Sequence, residues 1–179
     1  VMAELLPKAA ELAALAKVLN VGLTIDAEEV NRLDLSLELF GRLAQDARLK
    51  DWDGLGLAVQ AYGKRAKPTL EWLAAVAEAT GRRLPVRLVK GAYWDTEIKR
   101  AQEMGLPAYP LFTRKVSTDV SYLACAKYLL ARRDRFYPQF ATHNAHSLAA
   151  IIEMAGGAAA SRDKLEFQRL HGMGEALYD

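Results

Sequence analysis

Short apolar runs alternate with helical patterns along the whole chain, and this alternation constrains the fold more than any other feature. Residues 5–19 are rich in Ala, Leu, Lys and Glu and predict a helix, with Pro7 in its first turn. Residues 21–25 are short, apolar and β-branched, a strand pattern. Residues 28–43 return to helical spacing through Val30, Leu33, Leu37 and Phe40. The pattern then repeats: a strand over 55–59, a helix opened by Pro68 and closed by Gly81, and a strand over 86–89. Helices over 96–104 and 117–130 follow, joined by the proline-marked segment 106–110. A strand over 139–142, a helix over 147–154, a small-residue loop over 156–161 and a strand over 167–170 complete the chain.

Strand and helix recurring at about 30-residue intervals predict right-handed βαβ units and a parallel sheet. Such a sheet either closes into a (β/α)8 barrel or stays open and doubly wound. Asp26, Gln60, Lys90, His143 and His171 each follow an apolar strand pattern at once. In a barrel the C-terminal ends of all strands converge on one mouth, whereas in an open sheet polar groups concentrate at the switch point. Five polar strand ends in succession favour the barrel. The expected class is therefore α/β, a TIM-like (β/α)8 barrel of which about five units are present, with residues 1–179 forming one partial domain that lacks early strands and the last helix.

A formal net charge of +2 gives no electrostatic case for nucleic-acid binding by this segment. The single cysteine, Cys125, lies in an apolar helical run, reads as a buried thiol, and cannot form a disulfide within the chain, which fits a reducing compartment. No apolar run approaches the length of about 20 residues needed to cross a bilayer.

The chemistry-bearing residues cluster at the strand ends. Asp26 and Glu29 have capping-box spacing, and Asp26 also stands where it can orient a cation such as Arg87. Gln60 can donate and accept at once, which suits the imide-like edge of a flavin or nucleobase, or a backbone site. Arg87 alternates with Val86 and Leu88 and points away from them, so it needs a partner or a ligand. Lys90-Gly91 combines a point charge with close backbone approach, and Trp94 offers either a stacking surface or loop packing. His143 and His146 straddle a strand-to-loop turn and have no evident third ligand, so a metal centre is not expected. Thr142 and His143 instead suit contacts to a phosphate or a ring.

Eight strings in order carry a resemblance. They are Ile25-Asp-Ala-Glu-Glu29, Val59-Gln-Ala-Tyr62, Arg87-Leu-Val-Lys-Gly-Ala-Tyr-Trp-Asp95, Glu97-Ile-Lys-Arg-Ala-Gln102, Thr113-Arg-Lys115, Thr118-Asp-Val-Ser-Tyr-Leu-Ala-Cys125, Gln139-Phe-Ala-Thr-His-Asn-Ala-His146 and Phe167-Gln-Arg-Leu-His-Gly-Met-Gly-Glu175. With them the chain resembles the proline dehydrogenase domain of the bifunctional bacterial proline-utilization flavoenzymes. The resemblance implies a distorted (β/α)8 barrel that holds FAD without a covalent bond and oxidises L-proline to Δ1-pyrroline-5-carboxylate. It implies that Asp26 and Arg87 are the charged pair beside the reactive flavin and that Gln60 meets its pyrimidine edge. Val89, Lys90 and Gly91 would cradle the cofactor, with Thr142 and His143 on its ribityl or pyrophosphate part and Ala27, Trp94 and Thr113 nearby. Tyr93 and Leu170 would line the proline pocket. The resemblance further implies a quinone-type electron acceptor, a pyrroline-5-carboxylate dehydrogenase domain in the same polypeptide, and a cytoplasmic protein peripheral at the inner membrane. The paired arginines and lysine that grip the substrate carboxylate in that family have no counterpart here, and Arg132-Arg133 occupies a different helix–loop context. Two other readings remain at this point: another flavin-dependent barrel oxidoreductase, and a non-catalytic barrel fragment.

Overall fold

Five strands pair side by side in chain order: β1 (Leu23–Ile25), β2 (Leu55–Gln60), β3 (Leu84–Val89), β4 (Phe136–Ala141) and β5 (Glu166–Gln168). All four pairings are parallel. The computed structural model describes residues 1–161 and 164–178. The longer helices are α1 (Met2–Val18), α2 (Leu33–Ala44), α3 (Ala66–Thr80), α4 (Trp94–Glu103), α5 (Lys115–Leu130) and α6 (Ala145–Met154), followed by the short α7 (Ala158–Ser161) and α8 (Glu175–Tyr178). Strand order never reverses, so there is no switch point of the kind an open doubly wound sheet requires. The architecture is five consecutive units of a (β/α)8-like barrel.

The two sheet faces differ. On β3 and β4, Leu84, Val86, Leu88, Phe136, Pro138 and Phe140 are buried, while the alternate residues are half-exposed. The buried set packs with Leu70 and Leu73 of α3 and with Tyr122, Cys125 and Leu129 of α5 into one core. The other, concave face carries registered rows, one of which runs Ala58, Arg87, Gln139, Glu166 across four strands. This face is polar. The Glu166 carboxylate accepts from Gln139 Nε2 (2.9 Å), Gln168 Nε2 (2.5 Å) and the Tyr137 hydroxyl (3.3 Å).

Several boundaries differ from the sequence expectation. β1 starts at Leu23, because Val21 and Gly22 are exposed and unpaired in the sheet. The helix expected from residue 28 begins at Leu33, after a single 3-10 turn over Val30–Arg32. Asp26 accepts from the adjacent Ala27 N–H (3.1 Å), so it caps no helix and the capping box does not form. Pro7 lies in the second turn of α1, since that helix starts at Met2, and Pro68 is the third residue of α3. β4 begins three residues early and contains Pro138, and β5 ends at Gln168, leaving Leu170 beyond it. The segment 156–161, expected as loop, contains α7.

Candidate functional site

Because all five strands are parallel, their C-terminal ends share one edge of the sheet. Asp26 follows β1 and sits level with Ala58 of β2, which is in turn paired with Arg87 of β3. Arg87 reaches across that central position, and its Nη2 donates to Asp26 Oδ1 at 2.7 Å. Ala58 is buried, and its single methyl leaves room for the crossing. The Arg87 side chain is 27% exposed and that of Asp26 74%. An exposed pair of this kind adds little stability, so its effect is to fix the direction of the guanidinium.

Gln60, the last residue of β2, clamps two loops. Its Nε2 donates to the Glu28 carbonyl (2.7 Å), and its Oε1 accepts from the Ala92 N–H (3.1 Å). The amide is therefore held by backbone groups, and one N–H and one acceptor lone pair are left over. The turn after β3 is fastened further by Ala61 N–H to Val89 O (2.8 Å) and Tyr62 N–H to Lys90 O (2.7 Å). Gly91 adopts φ 136°, and a Cβ there would lie 2.5 Å from atoms of the Tyr62 ring, so only glycine fits. Tyr93 is half-buried at the start of α4. The Trp94 indole donates to Phe112 O (3.0 Å), which places it beside Thr113, an exposed residue of the loop before α5.

Lys90 leaves the strand on the helix side. Its ammonium donates to Asp119 Oδ1 of α5 (2.5 Å) and stands 5.7 Å from the Tyr122 ring centre. Lys115 donates to the second oxygen of Asp119 (2.8 Å). At the end of β4, Thr142 is buried, its hydroxyl accepting from Asn144 N–H (3.1 Å) and its carbonyl from the Tyr178 hydroxyl (2.6 Å). His143 Nε2 accepts from the Leu170 N–H (3.0 Å), which puts the ring proton on Nδ1. Leu170 is exposed, as is His171.

The structure thus joins Asp26 to Arg87, Gln60 to the loops that carry Ala27 and Gly91, Trp94 to the Thr113 loop, and His143 to Leu170. It separates Lys90 from the concave face. Arg132 and Arg133 precede β4, at the opposite edge of the sheet, where Arg132 stacks on Tyr128 (3.8 Å) and Arg133 Nε donates to Leu130 O (3.2 Å).

Three contributors escaped the sequence reading. Glu97 of α4 is buried, and its Oε1 accepts from the Val30 N–H (2.6 Å), tying the loop after β1 to a helix 67 residues away. Tyr62 is buried beneath Gly91, its hydroxyl without a hydrogen-bond partner among the described residues. Burial, reinforced by the Glu97 carboxylate, pushes its phenol from 10.0 up to about 12. Asp119 is the third, held well below the ordinary carboxylate value by Lys115 and then Lys90. In the sequence these two acids look like members of solvated helix faces.

Among the described residues no helix is long and apolar enough to cross a membrane. The chain matches the family model described as Proline dehydrogenase over residues 2–179. It is 55% identical over 179 residues to the Bifunctional protein PutA of Salmonella typhimurium, covering 100% of this chain and 14% of that protein. It is 56% identical to the protein of the same name from Rhizobium meliloti, again covering 100% of this chain and 14% of the relative. Among solved structures it superposes on a Bradyrhizobium japonicum proline utilization A variant with TM-score 0.95 at 57% identity, covering 99% of this chain and 18% of that one. The proline utilization A of Bdellovibrio bacteriovorus, inactivated by N-propargylglycine, gives TM-score 0.92 at 34% identity over 96% of this chain and 18% of that one. The chain therefore spans about a seventh of the length of these curated relatives.

Proposed function

Since the chain belongs to the proline dehydrogenase family, we propose that residues 1–179 form the part of a flavin-dependent barrel that oxidises L-proline to Δ1-pyrroline-5-carboxylate, with FAD bound noncovalently. The observation that carries the reading is the Arg87–Asp26 pair, which holds a cation over the concave face at the sheet edge where barrel active sites form. The donor set fits such a cofactor: a fixed guanidinium, a primary amide with capacity to spare, and an imidazole with a free N–H.

When bound, FAD supplies the acceptor for the hydride that leaves the proline ring. The residues of this chain bind and polarise. Arg87 stabilises negative charge arriving beside it, and Asp26 prevents the side chain from swinging away. Gln60 presents its remaining N–H and lone pair to the pyrimidine edge, while holding the loops of Ala27 and Gly91 in place. Val89, Lys90 and Gly91 form the cradle through their backbone, the Lys90 ammonium being turned toward α5. Thr142 and His143 contact the ribityl or pyrophosphate part, with Trp94 and Thr113 at the margin. Tyr93 and Leu170 line the proline pocket and exclude water. Electrons leave to a quinone-type acceptor, and the product passes to a pyrroline-5-carboxylate dehydrogenase domain of the same polypeptide, in a cytoplasmic protein peripheral at the inner membrane.

The test is anaerobic mixing of the purified yellow protein with L-proline. Bleaching of the flavin absorbance by proline, absent with other amino acids, is the expected result. A yellow protein that proline leaves unbleached assigns a different flavin chemistry, and a colourless one that takes up no added FAD removes the cofactor from the reading.

A further inference from the structure

Lys90 and Arg87 lie three residues apart on one strand end, yet their charges go to opposite sides of the sheet. Val86 and Leu88 face the helices, and Lys90 shares their parity, whereas Arg87 faces the concave side. A lysine side chain has four rotatable carbons and can reach round a strand end, particularly beside a glycine. What keeps it on the helix side is Asp119. The carboxylate lies one turn into α5 and accepts from Lys90 (2.5 Å) and Lys115 (2.8 Å) at once. One turn on, Tyr122 of the same helix places its ring under the Lys90 ammonium and donates its hydroxyl to Ala141 O at the end of β4 (3.3 Å). The same helix face therefore grips the ends of β3 and β4. The Lys90 side chain is 25% exposed and that of Asp119 33%, so solvent only partly screens this pair.

We propose that Asp119 is a positioning residue for Lys90, holding its ammonium against α5 and offsetting its charge, so that of the two cations at this strand end only Arg87, oriented by Asp26, faces the flavin. The inference rests on the flavin reading of the preceding section. Replacing the carboxylate by an amide leaves Lys90 without its anionic partner, free to approach the cofactor. A reduced, more negative flavin is then favoured over the oxidised one.

The test uses the holoenzyme with Asp119→Asn, Asp119→Glu, and Asp119→Asn in a Lys90→Met background. The first readout needs no flavin: acylation of Lys90 by an amine-reactive ester, followed by peptide mass spectrometry. It should run severalfold faster in Asp119→Asn than in the parent, and near the parental rate in Asp119→Glu. The second readout is the flavin midpoint potential. Asp119→Asn should favour the reduced cofactor about tenfold, or about 30 mV for a two-electron couple, and the shift should vanish when residue 90 is methionine. Unchanged Lys90 labelling, or a potential shift that persists in the Lys90→Met background, overturns the proposal. A protein that binds no flavin sinks the functional reading instead, while the labelling result still decides whether Asp119 holds Lys90.

Discussion

The guanidinium of Arg87 and the carboxylate of Asp26 meet at 2.7 Å although a whole strand lies between their backbones. Two strand spacings amount to about 10 Å, which only a long side chain can span. Ala58, paired with Arg87 and buried beneath the crossing, must stay small. Ala58→Leu should therefore misplace Arg87 and slow flavin reduction by proline about 10²-fold. Arg87→Met should match it, that being the usual loss for one such stabiliser. Anaerobic single-turnover kinetics measure both, and unchanged rates would refute the role.

Glu97 is a buried acid whose chief partner is one backbone N–H. Removing it leaves the Val30 donor unpaired, so Glu97→Ala should cost about 2 kcal/mol. Glu97→Gln keeps an acceptor oxygen and should cost less. Urea-unfolding midpoints at unchanged slope report the difference.

Alkali should act in part through Tyr62, alongside Tyr122 and Tyr178, whose phenols burial also pushes up. The folded-state value of Tyr62 is raised from 10.0 to about 12, so the folded protein holds a proton that the unfolded chain releases. The associated stability is complete below pH 10 and is lost as pH rises toward 12. Tyr62→Phe should make that alkaline limb shallower, and near-ultraviolet phenolate absorbance should show one late-titrating tyrosine fewer in the variant than in the parent, Tyr122 and Tyr178 remaining in both.

Gly91→Ala combines a left-handed backbone with a Cβ at 2.5 Å from the Tyr62 ring. Backbone strain alone is worth about 1–3 kcal/mol, and the ring contact adds to it. A double-mutant cycle with Tyr62→Ala separates the two, because only the ring contact disappears in that background.

Much of the sheet is legible because buried parallel strands show as apolar runs closed by polar residues, as at Leu55–Gln60; of β3 only 86–89, ahead of Lys90, is legible, because Pro85 masks its start. β4 is longer than its apolar pattern suggests, and it holds Pro138, a residue that is unfavourable inside a central strand. The Leu84 N–H donates to Arg135 O, so by the alternation of a parallel ladder the Pro138 nitrogen faces the β5 side. Pairing with β5 starts only at Gln139, so no ladder bond is lost there. Strand parity turns Arg87 away from Val86 and Leu88, and its partner Asp26 is legible from its place directly after a strand, at the same edge. The capping box at Asp26 and Glu29 failed because Val30, which starts the turn there, takes its acceptor from Glu97. No local pattern reveals a partner 67 residues away. Asp119 was hidden for the same reason: its significance lies in Lys90, on another element.

One carboxamide, that of Gln60, grips both the Glu28 carbonyl and the Ala92 N–H. The two loops it joins are thus mechanically yoked. A molecule that lifts one drags the other, so arrival at either flank of the rim is felt at both without any rearrangement of the sheet beneath.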